Sequence, residues 1–541
     1  RLSHEYLFRT LELARIPVQY INMCKALYAA PQAAVIVQGR ISMPFPVERG
    51  VRQGCPLSPL LYVIAIEPLL QKIVRDGGIH KTPLPAGPPC TPVFAYADDV
   101  SVVVPDTTSL ERLLELTTEY CQASGARLNH KKSTVMALNA TPSPTTIQSI
   151  SVTRETRILG YFFDSAGPAP RNWNRAEEQL SIKTHNLGAL KCPLTAQATI
   201  IKTMLISTLS FVASILDIPP DKKKQLQKHI YRFLWQGAPD KVKRAIVCLP
   251  RFKGGLGLPD LDILARALHI KWTFRAVECD MPLTKTMASY YLSTRLRTFT
   301  EKALQHNTPH AGSPLSFYRT AATDLEYLKE NSSDVDPRTM HLKDIINMIT
   351  PPLPARLSRY MLCAERPSWQ YITAHFLDAR RASLMWRFAR GILPIRRRAF
   401  VPATSGMIDL CPFCLARETA EHIFLDCLIP AALLERLRDM FGLPGIPYPT
   451  VRYFNPLPKE GRKQFVLTLA EVNYQVWLAR CKAAYSNKTP SLHEVKAKIR
   501  KELWFHLERE RLHLGRKKFF EEWGHPMVIF KEENGKLEVR Y

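Results

Sequence analysis

Long apolar runs are scarce in this 541-residue chain. The longest uncharged apolar run, Thr203 to Leu216, is rich in Ser and Thr. It is shorter than the ~20 residues a bilayer-spanning helix needs. The sequence therefore predicts no membrane partner, and its opening shows no signal-peptide pattern. Acidic residues are in deficit: 48 Asp+Glu against 74 Lys+Arg leave a formal charge of +26. Such an excess points to a polyanionic partner, most simply nucleic acid, and fits poorly with a scaffold that binds none. The 12 cysteines form no disulfide framework and are scattered, with one cluster at metal-ligand spacing, as in a reducing compartment. No internal repeat is present. A nucleotide-binding phosphate loop is missing too. Gly254-Gly255-Leu256-Gly257-Leu258-Pro259 lacks both the following Lys-Ser/Thr and a preceding strand. It reads as a tight turn feeding a helix from Asp260 to Val277.

The most informative stretch is Val93 to Val104. Two β-rich apolar runs flank Asp98-Asp99, with small Ala97 before them, so the acidic pair falls at the turn of a hairpin. An Asp-Asp pair alone is a common polar turn. Side-by-side carboxylates repel unless a cation neutralises them, and Mg²⁺ suits such hard oxygen ligands.

Upstream, Arg1 to Tyr28 reads as one or two helices, with Ser3 placed to cap Ser3 to Leu13. A chain opening inside a structured unit carries the expectation of a fragment. Ala33 to Gln38 and Ser42 to Val47 predict a hairpin across Gly39-Arg40. In Arg49-Gly50-Val51-Arg52-Gln53-Gly54-Cys55-Pro56-Leu57-Ser58-Pro59, two glycines allow close backbone approach to a ligand. A plain Gly-rich loop accounts for the glycines but not for the donors Arg52 and Gln53 between them. Ser58-Pro59 starts a helix running to Ile73 through Pro68.

Downstream, Gly77 to Pro92 reads as loop, and Thr108 with Glu111 as a capping box for a helix ending at Ser124-Gly125. Lys131 and Lys132 read either as solvated side chains or as phosphate contacts. Arg157 to Phe163 is a second apolar hairpin. Helical patterning runs from Asn174 to Phe299, and the lysines of Asp221 to Trp235 read first as a solvated face. Residues 300–360 are polar and Pro-punctuated, a linker. Helix returns from Ser368 to Gly391, before Arg396-Arg397-Arg398. In the helical, basic stretch from Leu433 to Trp523, Trp477, Arg480, Trp504, Phe505, Phe519 and Phe520 suit either nucleic-acid stacking or amphipathic packing.

Cys411, Cys414, His422 and Cys427 form a C-x2-C-x7-H-x4-C array. Three thiolates and an imidazole close a tetrahedral Zn²⁺ site, and with every position filled by protein the ion is structural.

Arg52 to Pro59 followed by Tyr96-Ala97-Asp98-Asp99 resembles the reverse transcriptase of non-LTR, LINE-type retrotransposons. The resemblance continues through Ser124-Gly125, Leu128-Asn129 with Lys131-Lys132-Ser133, Leu159-Gly160, Phe233-Leu234-Trp235, the Gly254 to Pro259 turn and the Cys-Cys-His-Cys knuckle. It implies an α+β fold: a right-hand polymerase palm with fingers largely missing (1–165), a helical thumb-like region (166–300), a connector (301–400), a zinc knuckle (401–430) and a basic helical C-terminal region (431–541). It implies an RNA-directed DNA polymerase working on an RNA template, a DNA primer or target and deoxynucleoside triphosphates. Such a protein resides in nucleus and cytoplasm as a ribonucleoprotein.

By the same resemblance Asp98 is the main Mg²⁺ ligand and Asp99 its neighbour in the motif that begins at Tyr96. Arg52, Gln53 and Gly54 line template and incoming nucleotide. Lys131 or Lys132 meets the triphosphate, and Leu159-Gly160 grips the primer. A further metal-binding Asp of the family lies upstream of the region resembled here, so this chain as given is expected not to synthesise DNA. A non-catalytic nucleic-acid-binding remnant is the competing reading.

Overall fold

Ser3 caps the first helix, His4–Leu13, by accepting from the Tyr6 N–H at 3.1 Å. Leu7 and Leu11, one turn apart, are fully buried. They pack with Ile21 and Cys24 of the next helix, Val18–Leu27, and with Leu61 and Ala65 of the helix Ser58–Arg75. This computed structural model describes residues 2–52, 54–85, 87–138, 145–296, 316–331, 339–352, 367–395, 410–486, 488–524 and 528–541. The chain divides into two compact units: Arg1–Ala176 with Val212–Ile218 and Ala265–Ile349, and Glu177–Phe211 with Pro219–Leu264 and Thr350–Tyr541.

The first unit is mixed α+β, as the sequence implies. Its described strands form small sheets of two or three strands, almost all antiparallel. The early hairpin pairs Ile36–Val37 with Arg40–Ile41. Its turn is therefore Gln38-Gly39, both at positive φ (51° and 81°), and not Gly39-Arg40. Glycine tolerates the left-handed conformation that such a turn demands. The helix Thr107–Ser124 is capped by Asp106, whose carboxylate accepts from the Ser109 N–H at 2.7 Å. The expected cap, Thr108, lies inside the helix, because Asp106 reaches the free N–H groups first. Gly125 ends the helix at φ 70°.

The second unit is built mainly of helices around Arg462–Ser486, buried on nearly every side. The helices Pro220–Leu234, Ala379–Ala389 and Leu492–Leu514 belong to it, and a C-terminal hairpin, Phe530–Glu533 with Lys536–Val539, was not foreseen. On Pro220–Leu234, Leu226, Ile230, Phe233 and Leu234 are buried while Lys222 pairs with Glu177 and Lys223 with Asp262. Those lysines thus serve the ion-paired surface of the fold.

One described helix, Leu194–Ala213, is long and apolar enough to cross a membrane by length and composition, with under half of its most apolar stretch buried. The apolar run looked too short in the sequence because Lys202 interrupts it. Here Lys202 sits within a π-helical turn, Ile201–Leu205. The expected linker landmarks Asn331 to Pro337 lie almost wholly outside the described residues, and so do Pro354 and Arg396-Arg397-Arg398.

Candidate catalytic hairpin and metal centre

The acidic pair sits at the tip of the expected hairpin, with Asp98 in the turn and Asp99 opening the second strand. Val93–Tyr96 pairs antiparallel with Asp99–Val102, and Tyr96 stands opposite Asp99. Ala97 and Asp98 form the two-residue turn, with Ala97 at φ 52°. Side chains of paired residues share a face, so Tyr96 and Asp99 lie together on one face with Phe94 and Ser101. On the other, Val93 and Val102 pack against Leu69, Ile73, Ile79 and Leu116. That packing anchors the hairpin on the helices Ser58–Arg75 and Thr107–Ser124 and leaves its tip in solvent. Tyr96 is 71% exposed, and Asp98 and Asp99 are exposed as well. Among the described residues neither carboxylate has an ion-pair or hydrogen-bond partner.

Tyr62, on Ser58–Arg75, is the neighbour that sequence reasoning missed. Burial raises its phenol pKa, and the nearby Asp98 charge raises it further. The available signal was its place: one helical turn past Ser58, an aromatic ring in an otherwise aliphatic segment.

The remaining residues of this group are dispersed. Arg52 is exposed, donates to the Leu27 carbonyl at 3.3 Å and lies over the Tyr28 ring at 5.9 Å. Gly54 sits at φ 83° with open space where a Cβ would point. Gln53 lies outside the described residues. Lys131 and Lys132 occupy an exposed turn closed by Asn129, whose carbonyl accepts from the N–H groups of Lys132 and Ser133 at 2.9 Å. Leu159 and Gly160 form the turn between Glu155–Ile158 and Tyr161–Asp164, at φ 47° and 96°. Both turn residues at positive φ match the favoured hairpin twist, and Leu159 is 50% exposed at the tip. No hydrogen bond or ion pair among the described residues links Asp98 or Asp99 to Lys131, Lys132 or this second hairpin.

By contrast, Cys411, Cys414, His422 and Cys427 converge, with their ligand atoms all within 4.8 Å of one another. The Sγ atoms of Cys411 and Cys427 are 3.8 Å apart, and so are those of Cys414 and Cys427. Cys414 Sγ lies 3.1 Å from His422 Nε2. A tetrahedral ion with Zn–S bonds of about 2.3 Å separates its sulfurs by about 3.8 Å; a disulfide would hold them at about 2.0 Å. The donor set and spacing therefore fit zinc.

The knuckle is built locally. The Cys411 N–H donates to Ala416 O at 2.7 Å and the Leu415 N–H to Cys411 O at 3.0 Å, with Leu415 at φ 61°. Behind it Phe424 stacks on Phe388 at 4.2 Å, and Glu418 takes two hydrogen bonds from Arg480 at 2.8 and 2.9 Å. Of the two readings open for Arg480, nucleic-acid contact and amphipathic packing, the second holds: it is a buried structural cation. Phe519 is likewise fully buried, whereas Phe505 is 52% exposed.

Residues 1–163 match the family model described as reverse transcriptase (RNA-dependent DNA polymerase). The chain is similar to the transposon TX1 uncharacterized 149 kDa protein of Xenopus laevis, 31% identical over 304 residues, covering 54% of this chain and 23% of that protein. It is also similar to the retrovirus-related Pol polyprotein from type-2 retrotransposable element R2DM of Drosophila melanogaster, 26% identical over 295 residues, or 50% of this chain and 27% of that one. A third relative, the retrovirus-related Pol polyprotein from type-1 retrotransposable element R2 of Popillia japonica, is 30% identical over 136 residues, 23% of this chain and 19% of that protein. The matched stretch thus spans about a quarter of the length of the first two relatives.

Proposed function

We propose, from the premise that residues 1–163 belong to the reverse transcriptase family and that the chain is of the non-LTR retrotransposon kind, that it acts in RNA-directed DNA synthesis. Its substrates are then an RNA template, a DNA primer or target and deoxynucleoside triphosphates. The observation that carries the reading is the solvent-facing, unpaired Asp98-Asp99 at the tip of a hairpin held by two helices.

Two adjacent carboxylates offer only oxygen acceptors, the donor set that Mg²⁺ prefers. Asp98 would hold the ion with Asp99 beside it; the ion supplies charge neutralisation for phosphoryl transfer to a primer 3′-hydroxyl. Arg52 and Gly54, with Gln53, would lie along template and incoming nucleotide, and Tyr96 beside the acidic pair. An exposed Lys131 or Lys132 would meet the triphosphate, and the Leu159-Gly160 turn would hold the primer end. Cys411, Cys414, His422 and Cys427 would hold a structural Zn²⁺. In domain terms residues 1–165 act as palm, 166–300 as thumb and 431–541 as a basic helical appendage, within a nuclear and cytoplasmic ribonucleoprotein.

The test is primer extension on an RNA template with Mg²⁺, using the longest reading frame that carries these 541 residues. Asp98→Ala is expected to lower extension by about a hundredfold to a thousandfold, as losing a principal charge-stabilising group does. Equal extension by the variant would overturn the reading.

A further inference from the structure

The glycine-rich turn of the second unit finds no use in the polymerase reading, yet its construction is unusually constrained. Its N–H groups are spent internally: Lys253 N–H donates to Pro250 O at 2.9 Å, Gly255 to Pro250 O at 3.1 Å, and Gly257 to Leu249 O at 2.8 Å. A Cβ on Gly254, which sits at φ 85°, would come within 2.4 Å of the Trp369 ring; one on Gly255 would come within 1.9 Å of Leu249 O. The Gly254 carbonyl accepts from Trp386 Nε1 at 3.0 Å and also from Arg390. This turn is fixed on the helix Ala379–Ala389 from below. What it presents outward is Arg251-Phe252-Lys253, with Phe252 67% exposed.

Cations gather beside that ring. Lys253 Nζ lies 5.9 Å from the Phe252 centroid. Arg251 reaches Thr199 Oγ1 at 3.4 Å, and Lys202 Nζ is 3.4 Å from Leu256 O. Burial and then the Arg251 charge push the Lys202 ammonium pKa down. Further along, Lys183 donates to Thr208 Oγ1 at 2.7 Å. None of these four cations has a carboxylate partner among the described residues, although this protein pairs many of its other lysines and arginines. From Thr199, which Arg251 reaches, toward Thr208, which Lys183 reaches, runs the exposed row Thr199, Thr203, Ser207. It is about 12 Å long at 1.5 Å per residue, or three to four nucleotides at about 3.4 Å each. Its hydroxyls add polar groups to a helix that also exposes Met204 and Phe211.

We propose that Arg251, Phe252 and Lys253, with Lys202 and Lys183, form a contact for a single nucleic-acid strand, in which Phe252 stacks on a base and the cations neutralise successive phosphates. The inference rests on the nucleic-acid reading above and assigns it a surface on the second unit. Aromatic stacking beside a cationic track is the general means of holding single strands without reading sequence.

The test titrates the full 541-residue chain into a fluorescent 20-nucleotide single-stranded RNA, with vesicles of mixed neutral and anionic phospholipid as a parallel probe. Phe252→Ala is expected to weaken RNA binding about tenfold and Phe252→Trp to restore it. Replacing Lys202, Arg251 and Lys253 together with Gln is expected to lower the salt slope by about 2. Thermal melts of each variant control for folding. RNA affinity of Phe252→Ala within twofold of the unaltered chain, or full restoration by Phe252→Leu, overturns this assignment and leaves the polymerase reading intact. Vesicle binding that depends on Phe252, without RNA binding, overturns it in favour of a membrane surface. An unaltered chain that binds no RNA at all removes the nucleic-acid reading itself.

Discussion

Arg480 and Glu418 are buried to 2% and 0% of their accessible surface, and each supplies what the other needs. Removing one partner leaves an uncompensated charge in the interior, at a cost of about 3–5 kcal/mol. Glu418→Ala should therefore lower the denaturant midpoint sharply; an unchanged midpoint would mean that water reaches Arg480. His506 makes the second residue-scale prediction. Burial, with the charges of Arg509 and Arg381 nearby, depresses its pKa to about 3. Its Nε2 is buried without a partner, while Arg509 donates to Nδ1 at 3.4 Å. The unfolded chain protonates this ring near pH 6.5 and the folded one near pH 3, so between those values only the unfolded state carries the proton. Stability is full above about pH 6.5 and falls by about 1.4 kcal/mol per unit as the pH drops toward 3. Denaturation at pH 7 and 5 should show that loss, and His506→Phe should reduce it.

Holding the zinc ion proposed for it, the knuckle would draw much of its energy from what it binds. Its turn hydrogen bonds are few, and a structural zinc contributes about 10–16 kcal/mol of binding free energy in small metal-dependent folds. The chain should hold one zinc ion, measured by elemental analysis, and Cys427→Ser should release it and lower the melting temperature. Undiminished zinc content in that variant would place the ion elsewhere. The Asp98-Asp99 hairpin shows the opposite economy. Apolar Val93 and Val102 secure its base while Ala97 and Asp98 need only close a turn.

At the scale of the whole molecule the net charge of +26 governs association. Phosphate contacts release counterions, so RNA affinity should fall at least tenfold between 50 and 200 mM salt. Affinity unchanged over that range would sink the electrostatic account. Only part of the 74 Lys+Arg is available for this. Lys222, Lys223, Arg381 and Arg480 are committed to ion pairs, whereas Lys183, Lys202, Arg251 and Lys253 are not paired with any described carboxylate.

Local chemistry settled much of this in the chain itself. Two β-rich apolar runs around an Ala97-Asp98 turn specify the Val93–Val102 hairpin, and Ser3 and Gly125 specify their helix ends. The C-x2-C-x7-H-x4-C spacing specifies the converged knuckle, because each depends on residues within a few turns of one another. Tertiary structure decided which side chains of a given type do what. Arg480 and Phe519 resemble exposed Arg251 and Phe252 in kind. The first two face the core beside Glu418 and Trp523, and the last two stand outward on a turn clamped by Trp369. No local pattern separates the pairs, since burial is a property of what packs against a residue from distant parts of the chain.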